Sequence, residues 1–387
     1  MLNSLKYDCF LWHFFISLFR SIIRLFAKNK SSGMTAAIDI SVQKVQISKL
    51  HDFSLENLPF GKYFTDHMLE ADYEDGEWKS VEIKPYQPLL LDPSTAALHY
   101  GQAIFEGIKA YKDESGVVNI FRPIDNFTRF NLSAARMQMP AVPEEIFMEG
   151  MRMLIDLERN WIPDQKDHSL YIRPFMFSSD AVIGVKPSEK YKFLIICSPT
   201  GPYYNKPMRI YVEEKYTRAA PGGIGFAKTA GNYGASMLPT ANAKKLGYDQ
   251  VLWTDAFEHK YVQEIGTMNV FFIIGVKAIT PDLNSGTILE GVTRDSAITI
   301  LKEMGLEVEE RAISIDEIVE AYKSDKLLEV FGTGTAATIS NLCELKYKDF
   351  IMEFDVKKAE VSTELKRRLD EIREGRVEDQ HGWMYTV

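Results

Sequence analysis

The chain has 387 residues, of which 45% are hydrophobic and 26% charged, and its formal net charge is −9. This length allows two hydrophobic cores, and the acidic balance argues against general binding to nucleic acid. The cysteines Cys9, Cys197 and Cys343 lie far apart, without the spacing of a zinc site. The sequence therefore predicts a reducing compartment and no metal site.

Residues 1–33 differ from the rest because apolar and aromatic side chains are mixed there with five basic residues and one acid. The segment half fits a targeting presequence, whereas Arg20 and Arg24 interrupt any clean membrane-spanning run. We interpret it as an N-terminal extension, either a targeting segment or sequence upstream of a start at Met34. The prediction is a cytoplasmic protein whose core binds no membrane, with organelle targeting left open.

From about residue 60 the pattern mixes strands and helices. Acidic Gly-containing turns at 74–77 and 113–116 predict two hairpins. The predicted elements that follow are a helix capped by Asp125 and ending before Pro140, a helix over 144–162, and strands at 169–177 and 191–199. A Gly/Pro-rich connector at 200–209 then separates a smaller α/β domain, 50–199, from a larger domain, 210–387.

The second half alternates strands and helices. We predict strands at 208–216, 249–256, 261–275 (as one strand), 276–281, 308–314 and 327–336, and helices at 237–247, 294–305, 315–325 and 364–375. The predicted fold class is α/β (α+β) with two domains.

Lys228 lies in the Gly-rich segment PGGIGFAKTAGNYGAS. A lysine held there on a strand end could form a Schiff base with a carbonyl cofactor, or it could be a surface lysine in a loop. Residues 222–229 also nearly match a phosphate loop, but Ala227 replaces the last glycine and TAGNYG stands between the lysine and its predicted helix. Taken alone, the segment leaves these alternatives open.

Other segments suit an anionic pyridine cofactor. EGVTRD (290–295) begins a helix, whose free amides bind anions, although Thr293 could be an ordinary cap. FGTGTA (331–336) ends an apolar strand in a turn that could cradle a phosphate or carboxylate. Glu264 stands in an apolar strand and needs a cationic partner, either a protonated pyridine nitrogen or a lysine.

Seven motifs in order carry a family resemblance: FEGIKAY (105–111), FRPIDNFTR (121–129), YIRP (171–174), GFAKTAGNYGAS (225–236), EIGTMN (264–269), EGVTRD (290–295) and FGTGTA (331–336). From about residue 57 to its C-terminus the chain resembles the branched-chain aminotransferases, which are fold-type IV enzymes that use pyridoxal 5'-phosphate. The resemblance implies ping-pong transamination of leucine, isoleucine and valine with 2-oxoglutarate, so the partners are amino acids and 2-oxo acids. It also implies a homodimer. The alternative on the same fold is a D-amino acid transaminase or an aminodeoxychorismate lyase.

The resemblance also implies residue roles. Lys228 would form the internal Schiff base and move the proton between substrate Cα and cofactor C4′. The implied cofactor-binding residues are Arg129, Val292, Thr293 and Thr335 for the phosphate, Glu264 for the pyridine nitrogen, Tyr233 for the phenolic oxygen and Thr267 near the ring. The implied substrate-binding residues are Tyr100, Phe105, Tyr171, Arg173, Val185 and Tyr203, with the amides of Thr335 and Ala336 facing the carboxylate.

Overall fold

A computed structural model describes residues 38–203 and 206–387. The predicted extension 1–33, the start at Met34 and part of the predicted connector lie outside the described residues. Within the described ranges no helix is long and apolar enough to span a bilayer. Residues 40–387 form one compact unit. The division into two domains at residues 200–209 stays a prediction.

Strands supply most of the regular structure. The strands are β1 (Ser41–Val42), β2 (His67–Glu74), β3 (Glu77–Pro85), β4 (Ala103–Phe105), β5 (Ile108–Lys112), β6 (Val118–Phe121), β7 (Ser169–Ser178), β8 (Tyr191–Thr200), β9 (Met208–Val212), β10 (Gln250–Thr254), β11 (Val262–Ile265), β12 (Asn269–Ile274), β13 (Lys277–Thr280), β14 (Glu307–Glu310), β15 (Leu327–Gly334), β16 (Thr338–Tyr347), β17 (Phe350–Glu353) and β18 (Met384–Thr386). The α-helices are α1 (Ala96–Tyr100), α2 (Pro123–Arg136), α3 (Gly150–Leu157), α4 (Ala230–Lys245), α5 (Val292–Glu303), α6 (Ile315–Lys323) and α7 (Glu360–Arg373). A π-helical turn, Glu145–Glu149, leads into α3.

The described strands form two nine-stranded sheets. The first has the order β1-β3-β2-β8-β7-β5-β6-β18, with β4 paired to β7. The second has the order β11-β10-β9-β16-β15-β12-β13-β14, with β17 paired to β16. The last strand, β18, therefore returns the C-terminus to the first sheet, where it lies antiparallel to β6.

Both predicted hairpins are confirmed, as antiparallel pairs β2–β3 and β5–β6. Three local predictions were wrong. Helix α2 begins at Pro123 behind Arg122, which has a positive φ of 49°, and Asp125 instead pairs with the Arg122 guanidinium at 2.7 Å. The strand predicted over 261–275 is broken into β11 and β12 by a turn in which Gly266 has φ +55°. Helix α4 begins at Ala230, seven residues before the predicted start at Met237.

One hydrophobic cluster joins the two sheets. Tyr111 and Phe121 from the first sheet pack with Phe271 and Phe331 of the second and with the buried faces of α5 and α7. Phe271 and Phe331 stack with ring centroids 5.3 Å apart and are fully buried. Burial of such large aromatic side chains gives this cluster much of its stability. It fixes the N-terminus of α5 and the end of β15 beside β5.

Candidate active site

Lys228 is held through its backbone on two sides. Its N–H donates to the Ser133 hydroxyl on α2 at 3.0 Å, and its carbonyl accepts from the Phe105 N–H on β4 at 3.1 Å. Its amine donates to the Tyr233 hydroxyl at 2.8 Å and lies 4.9 Å from the centre of the Phe105 ring. The amine is therefore fixed in place at the edge of a cavity.

The sequence-based account of the loop needs correction. Lys228 does not end a strand, because it lies in irregular backbone, and the next residue, Thr229, forms an isolated antiparallel bridge with Ile104 of β4 just before α4 begins. The segment TAGNYG therefore does not separate the lysine from its helix, and that argument against a phosphate loop was wrong. The surface-lysine alternative is also wrong, since Lys228 is only partly exposed and is bonded as described above.

A cavity of about 210 Å³ lies between the two sheets. It brings together most of the predicted residues: Phe105, Arg129, Tyr171, Arg173, Tyr203, Lys228, Tyr233, Thr267, Val292, Thr293, Thr335 and Ala336. A smaller adjoining cavity contains Glu264 and shares Lys228, Tyr233 and Thr267 with the larger one. The seven motifs thus meet at one place although they span more than two hundred residues.

One end of the larger cavity is suited to an anion. Helix α5 begins there behind Gly291, and no side chain caps its first amides. Thr293 lies inside the helix, so the prediction that it could be the cap was wrong. A Cβ on Gly291 would lie 2.0 Å from the Asn269 amide oxygen, so only glycine fits. The Thr333 hydroxyl, 1% exposed on the same wall, has no hydrogen-bond partner among the described residues.

Arg129 projects from α2 toward this end. Its Nε and Nη2 donate to the two carboxylate oxygens of Glu106, each at 2.7 Å, and its Nη1 donates to the Glu290 carbonyl at 2.7 Å. Burial opposes the charged form of Arg129, but Glu106 outweighs it and raises the pKa of Arg129 above its usual range. The bidentate pair fixes the guanidinium plane.

Glu264, buried on β11, has a cationic partner that is an arginine, so the predicted lysine salt bridge was wrong. The Arg218 Nε lies 3.2 Å from one carboxylate oxygen, and the Leu289 N–H donates to the other at 2.8 Å. Burial raises the pKa of Glu264 above its usual range, while Arg218 acts in the opposite direction. The carboxylate therefore depends on a cation and an amide to offset its desolvation.

Another part of the cavity wall is aromatic. Phe60 packs edge-on against Tyr171 and Tyr203, with centroids 4.8 and 4.9 Å away. A Cβ on Gly107 would lie 2.1 Å from the Tyr171 hydroxyl, so glycine is required for Tyr171 to reach the cavity. Arg173 Nη2 donates to that hydroxyl at 2.9 Å.

Tyr100 and Val185 do not border the cavity of this chain. They are 41% and 90% exposed, on a surface where Thr95 of the α1 N-terminus bridges Ala181. Leu98 and Ile183 are exposed beside them. We call these four residues, Leu98, Tyr100, Ile183 and Val185, the apolar patch.

Residues that the sequence reasoning missed hold the predicted ones in place. They are Glu106, Ser133, Arg218, Asn269 and Thr333. Glu106, Asn269 and Thr333 lie inside three of the seven motifs, so the motifs contained a signal for them. Arg218 has no such signal, because it lies in none of the seven.

Comparisons with known proteins agree with this geometry. The pattern of the amino-transferase class IV family matches residues 103–342. A probable branched-chain-amino-acid aminotransferase of Staphylococcus aureus (strain MRSA252) is 51% identical over 85% of this chain and 93% of its own length. Branched-chain-amino-acid transaminase 1 of Bacillus subtilis (strain 168) is 48% identical over 86% and 94%.

Among solved structures, the branched-chain amino acid aminotransferase from Escherichia coli is 28% identical, with a TM-score of 0.65 over 82% of this chain and 98% of that one. Another solved branched-chain amino acid aminotransferase, 26% identical with a TM-score of 0.65 over 81% of this chain and 97% of that one, is complexed with N-(5'-phosphopyridoxyl)-L-glutamate. The chain belongs to the class IV aminotransferases and, among them, to the branched-chain-amino-acid aminotransferases. Enzymes of this class use pyridoxal 5'-phosphate, which is therefore its cofactor.

Proposed function

We propose that the chain catalyses reversible transamination of L-leucine, L-isoleucine and L-valine with 2-oxoglutarate, with Lys228 as the residue that carries the cofactor. The observation that supports this most strongly is one cavity in which a fixed amine stands between an anion end and an aromatic wall. An amino acid and a phosphorylated carbonyl cofactor together need those three features.

The residues at the anion end fit the cofactor phosphate. Free amides at the start of α5, the buried Thr333 hydroxyl without a partner among the described residues and the Thr335 hydroxyl offer several donors in a concave space. Arg129 adds a guanidinium whose orientation is already set by Glu106. We assign phosphate binding to Arg129, Val292, Thr293 and Thr335.

When bound, pyridoxal 5'-phosphate supplies an aldehyde that condenses with amines and a pyridine ring that accepts electrons from the substrate Cα. Glu264, with Arg218 behind it, would pair with the pyridine nitrogen and keep its proton in place. Tyr233 would hold the phenolic oxygen and meanwhile orients the Lys228 amine at 2.8 Å. Lys228, once released, lies where an amine can take and return a proton, and Thr267 borders the same space.

The aromatic wall favours a branched aliphatic side chain. Phe105, Tyr171 and Tyr203 provide apolar area, and such a pocket separates leucine from valine by only about 1–3 kcal/mol. Broad use of the three branched-chain amino acids follows. The Arg173 Nε has no hydrogen-bond partner among the described residues, so this guanidinium can also pair with the second carboxylate of 2-oxoglutarate. The backbone amides of Thr335 and Ala336 would face the carboxylate that all these substrates share.

A homodimer is part of the proposal. The apolar patch exposes large hydrophobic side chains in two segments, 98–100 and 183–185, and such exposure is typical of an association surface. Tyr100 and Val185, both predicted to contact substrate, would reach a cavity only from a second copy of the chain. Sedimentation of wild-type protein and of an Ile183→Lys variant would test this, with a monomeric wild type refuting it.

The cytoplasmic location stays a prediction, since it depends on residues 1–33. Intact-mass measurement of the native protein tests this location. A chain that begins near Met34 would support a cytoplasmic protein. A chain cleaved at another position within residues 1–33 would support targeting.

The activity is tested with Lys228→Ala and the matched control Lys245→Ala, a lysine at the end of α4. We expect the variant at 228 to lose the visible cofactor absorbance and leucine transamination, while the control keeps both. A Lys228→Ala enzyme with full activity on leucine, or a wild type active on D-alanine alone, would overturn the proposal.

A further inference from the structure

Arg373, the last residue of α7, is a buried cation for which the mechanism above has no role. It is 2% exposed, and its Nε and Nη1 have no hydrogen-bond partner among the described residues. Its Nη2 lies 3.5 Å from the Thr293 hydroxyl, at the start of α5. Its guanidinium stacks over Phe121 at 4.5 Å, which fixes the plane without satisfying the N–H groups.

The unpartnered N–H groups border a small cavity of about 10 Å³, close to the room that one water needs. Its lining includes Gly107, Val292, Thr293 and Thr335, all of which also line the main cavity. The guanidinium is thus separated from the anion end only by the first turn of α5 and the turn after β15.

Two basic side chains, Lys109 and Arg373, are buried on the wall of this small cavity. Lys109 is buried on its wall, where its amine donates to the Ala336 carbonyl at 3.3 Å and forms no ion pair with a described residue. The carboxylate that approaches Arg373, Asp370, lies 4.0 Å away and accepts from Lys366 at 2.5 Å. A buried guanidinium with two N–H groups that lack a partner is costly unless an anion or a bridging water offsets its desolvation.

Arg129 does not supply the missing net charge at the anion end. Its guanidinium is paired to both oxygens of Glu106, so the pair is neutral as a whole and contributes direction rather than net charge. A phosphate dianion at the start of α5 therefore needs positive potential from elsewhere. Among the described residues that line the small cavity, the Arg373 guanidinium supplies it, because burial lowers the pKa of Lys109 to about 7 and leaves that amine largely uncharged at pH 8.

We propose that Arg373 is a positioning residue for the phosphate end of the cofactor site. Its guanidinium holds the Thr293 hydroxyl and, through a water in the small cavity, extends the hydrogen-bond network to the phosphate. This rests on the proposed function in one respect, that the anion bound at α5 is a phosphate.

The test compares pyridoxal 5'-phosphate with pyridoxal, which lacks the phosphate. Purified holoenzyme is stripped of cofactor and titrated with each compound, for wild type, Arg373→Gln, Arg373→Lys and Arg376→Gln. Arg376 is the matched control because it lies three residues further on, with its side chain 35% exposed.

For Arg373→Gln we expect the Kd of pyridoxal 5'-phosphate to rise about tenfold or more, as for loss of a charge-assisted hydrogen bond, and the Kd of pyridoxal to change less than about twofold. Inorganic phosphate should also compete with pyridoxal 5'-phosphate more weakly in this variant, with its inhibition constant raised by the same factor as the Kd of pyridoxal 5'-phosphate. Arg373→Lys should recover part of the loss, and Arg376→Gln should match wild type.

Equal losses for the two compounds would mean a general structural role and would overturn the proposal, as would an unchanged Kd for pyridoxal 5'-phosphate. If Arg373→Gln does not fold, Arg373→Lys decides alone, because the proposal requires its loss to be confined to the phosphorylated compound. A wild type that binds no pyridoxal 5'-phosphate would instead refute the proposed function.

Discussion

The ion pair between Arg218 and Glu264 allows a quantitative test, because both side chains are buried and only 3.2 Å separates them. With an effective dielectric of about 20, two unit charges at that distance attract by about 5 kcal/mol. Breaking a buried pair by removing one partner costs about 3–5 kcal/mol. We therefore expect Arg218→Met to lower the free energy of unfolding of the cofactor-free protein by about 3–5 kcal/mol at pH 8.

The loss should depend on pH, with a sign that follows from the carboxyl group. Burial already raises the pKa of Glu264, and Arg218 opposes that rise. Without Arg218 the pKa of Glu264 rises further. Glu264 then stays protonated in the folded variant at pH values where it has already lost its proton in the unfolded chain, and this pH range is wider than in the wild type. The variant's stability then falls as the pH increases, and the loss should be smaller at pH 5 than at pH 8.

Urea unfolding of wild type, Arg218→Met, Glu264→Gln and the double variant at both pH values provides the measurement. Adding Glu264→Gln to Arg218→Met should recover much of the loss at pH 8, because a neutral amide needs no cation. A loss that is equal at the two pH values, or that the second substitution does not reduce, would refute the reasoning. Conservation of the urea m-value in all four proteins serves as the control on two-state unfolding.

Three further predictions follow from the same geometry. Burial lowers the pKa of Lys109 from 10.5 to about 7, so between these two pH values the unfolded chain holds more protons than the folded chain. The stability of the wild type should therefore rise between pH 7 and 9 in urea unfolding, and that of Lys109→Met should rise less. Parallel stability profiles of the two proteins would contradict this. Arg173→Leu should raise the KM for 2-oxoglutarate about tenfold or more. The rate of the half-reaction with leucine should stay within about twofold of wild type in single-turnover kinetics. Equal effects on both half-reactions would contradict the assignment of Arg173. Gly107→Ala places a Cβ 2.1 Å from the Tyr171 hydroxyl and should raise the KM for leucine in steady-state kinetics; an unchanged KM would contradict this.

The sequence predicted the central site better than the local structure around it. Motif order was enough to bring Lys228, Tyr233 and Arg129 to one cavity, although the lysine's own loop was ambiguous. The start of α4 was missed because Gly231 and Gly234 lie in its first turns, where glycine lowers helix propensity. The break between β11 and β12 had a signal, Gly266, but the apolar residues on both sides concealed it.

Partners of buried charges were beyond the reach of the sequence. The sequence predicted that Glu264 needs a cationic partner, but nothing around Arg218 distinguishes this residue from any other arginine. The pairing depends on how β11 packs against the loop before Lys228. Tyr100 and Val185 show a second limit. The family resemblance implied that both contact substrate, but in this chain both side chains are exposed and lie outside the cavity, and nothing in the sequence indicates that position.

At the anion end, the motifs and the structure differ most in which residues they indicate as the source of positive charge. The motif assigns the phosphate to Arg129, and a lone guanidinium would indeed supply the charge. In the folded chain Glu106 neutralises that arginine, so its proposed contribution is a fixed direction for hydrogen bonds, while the proposal assigns net positive potential to the α5 terminus and Arg373. Removing Glu106 would therefore add positive charge to the cavity yet release the guanidinium from its plane. If the assignments hold, phosphate affinity and phosphate orientation depend on different residues, and Arg373→Gln and Glu106→Gln would vary them separately.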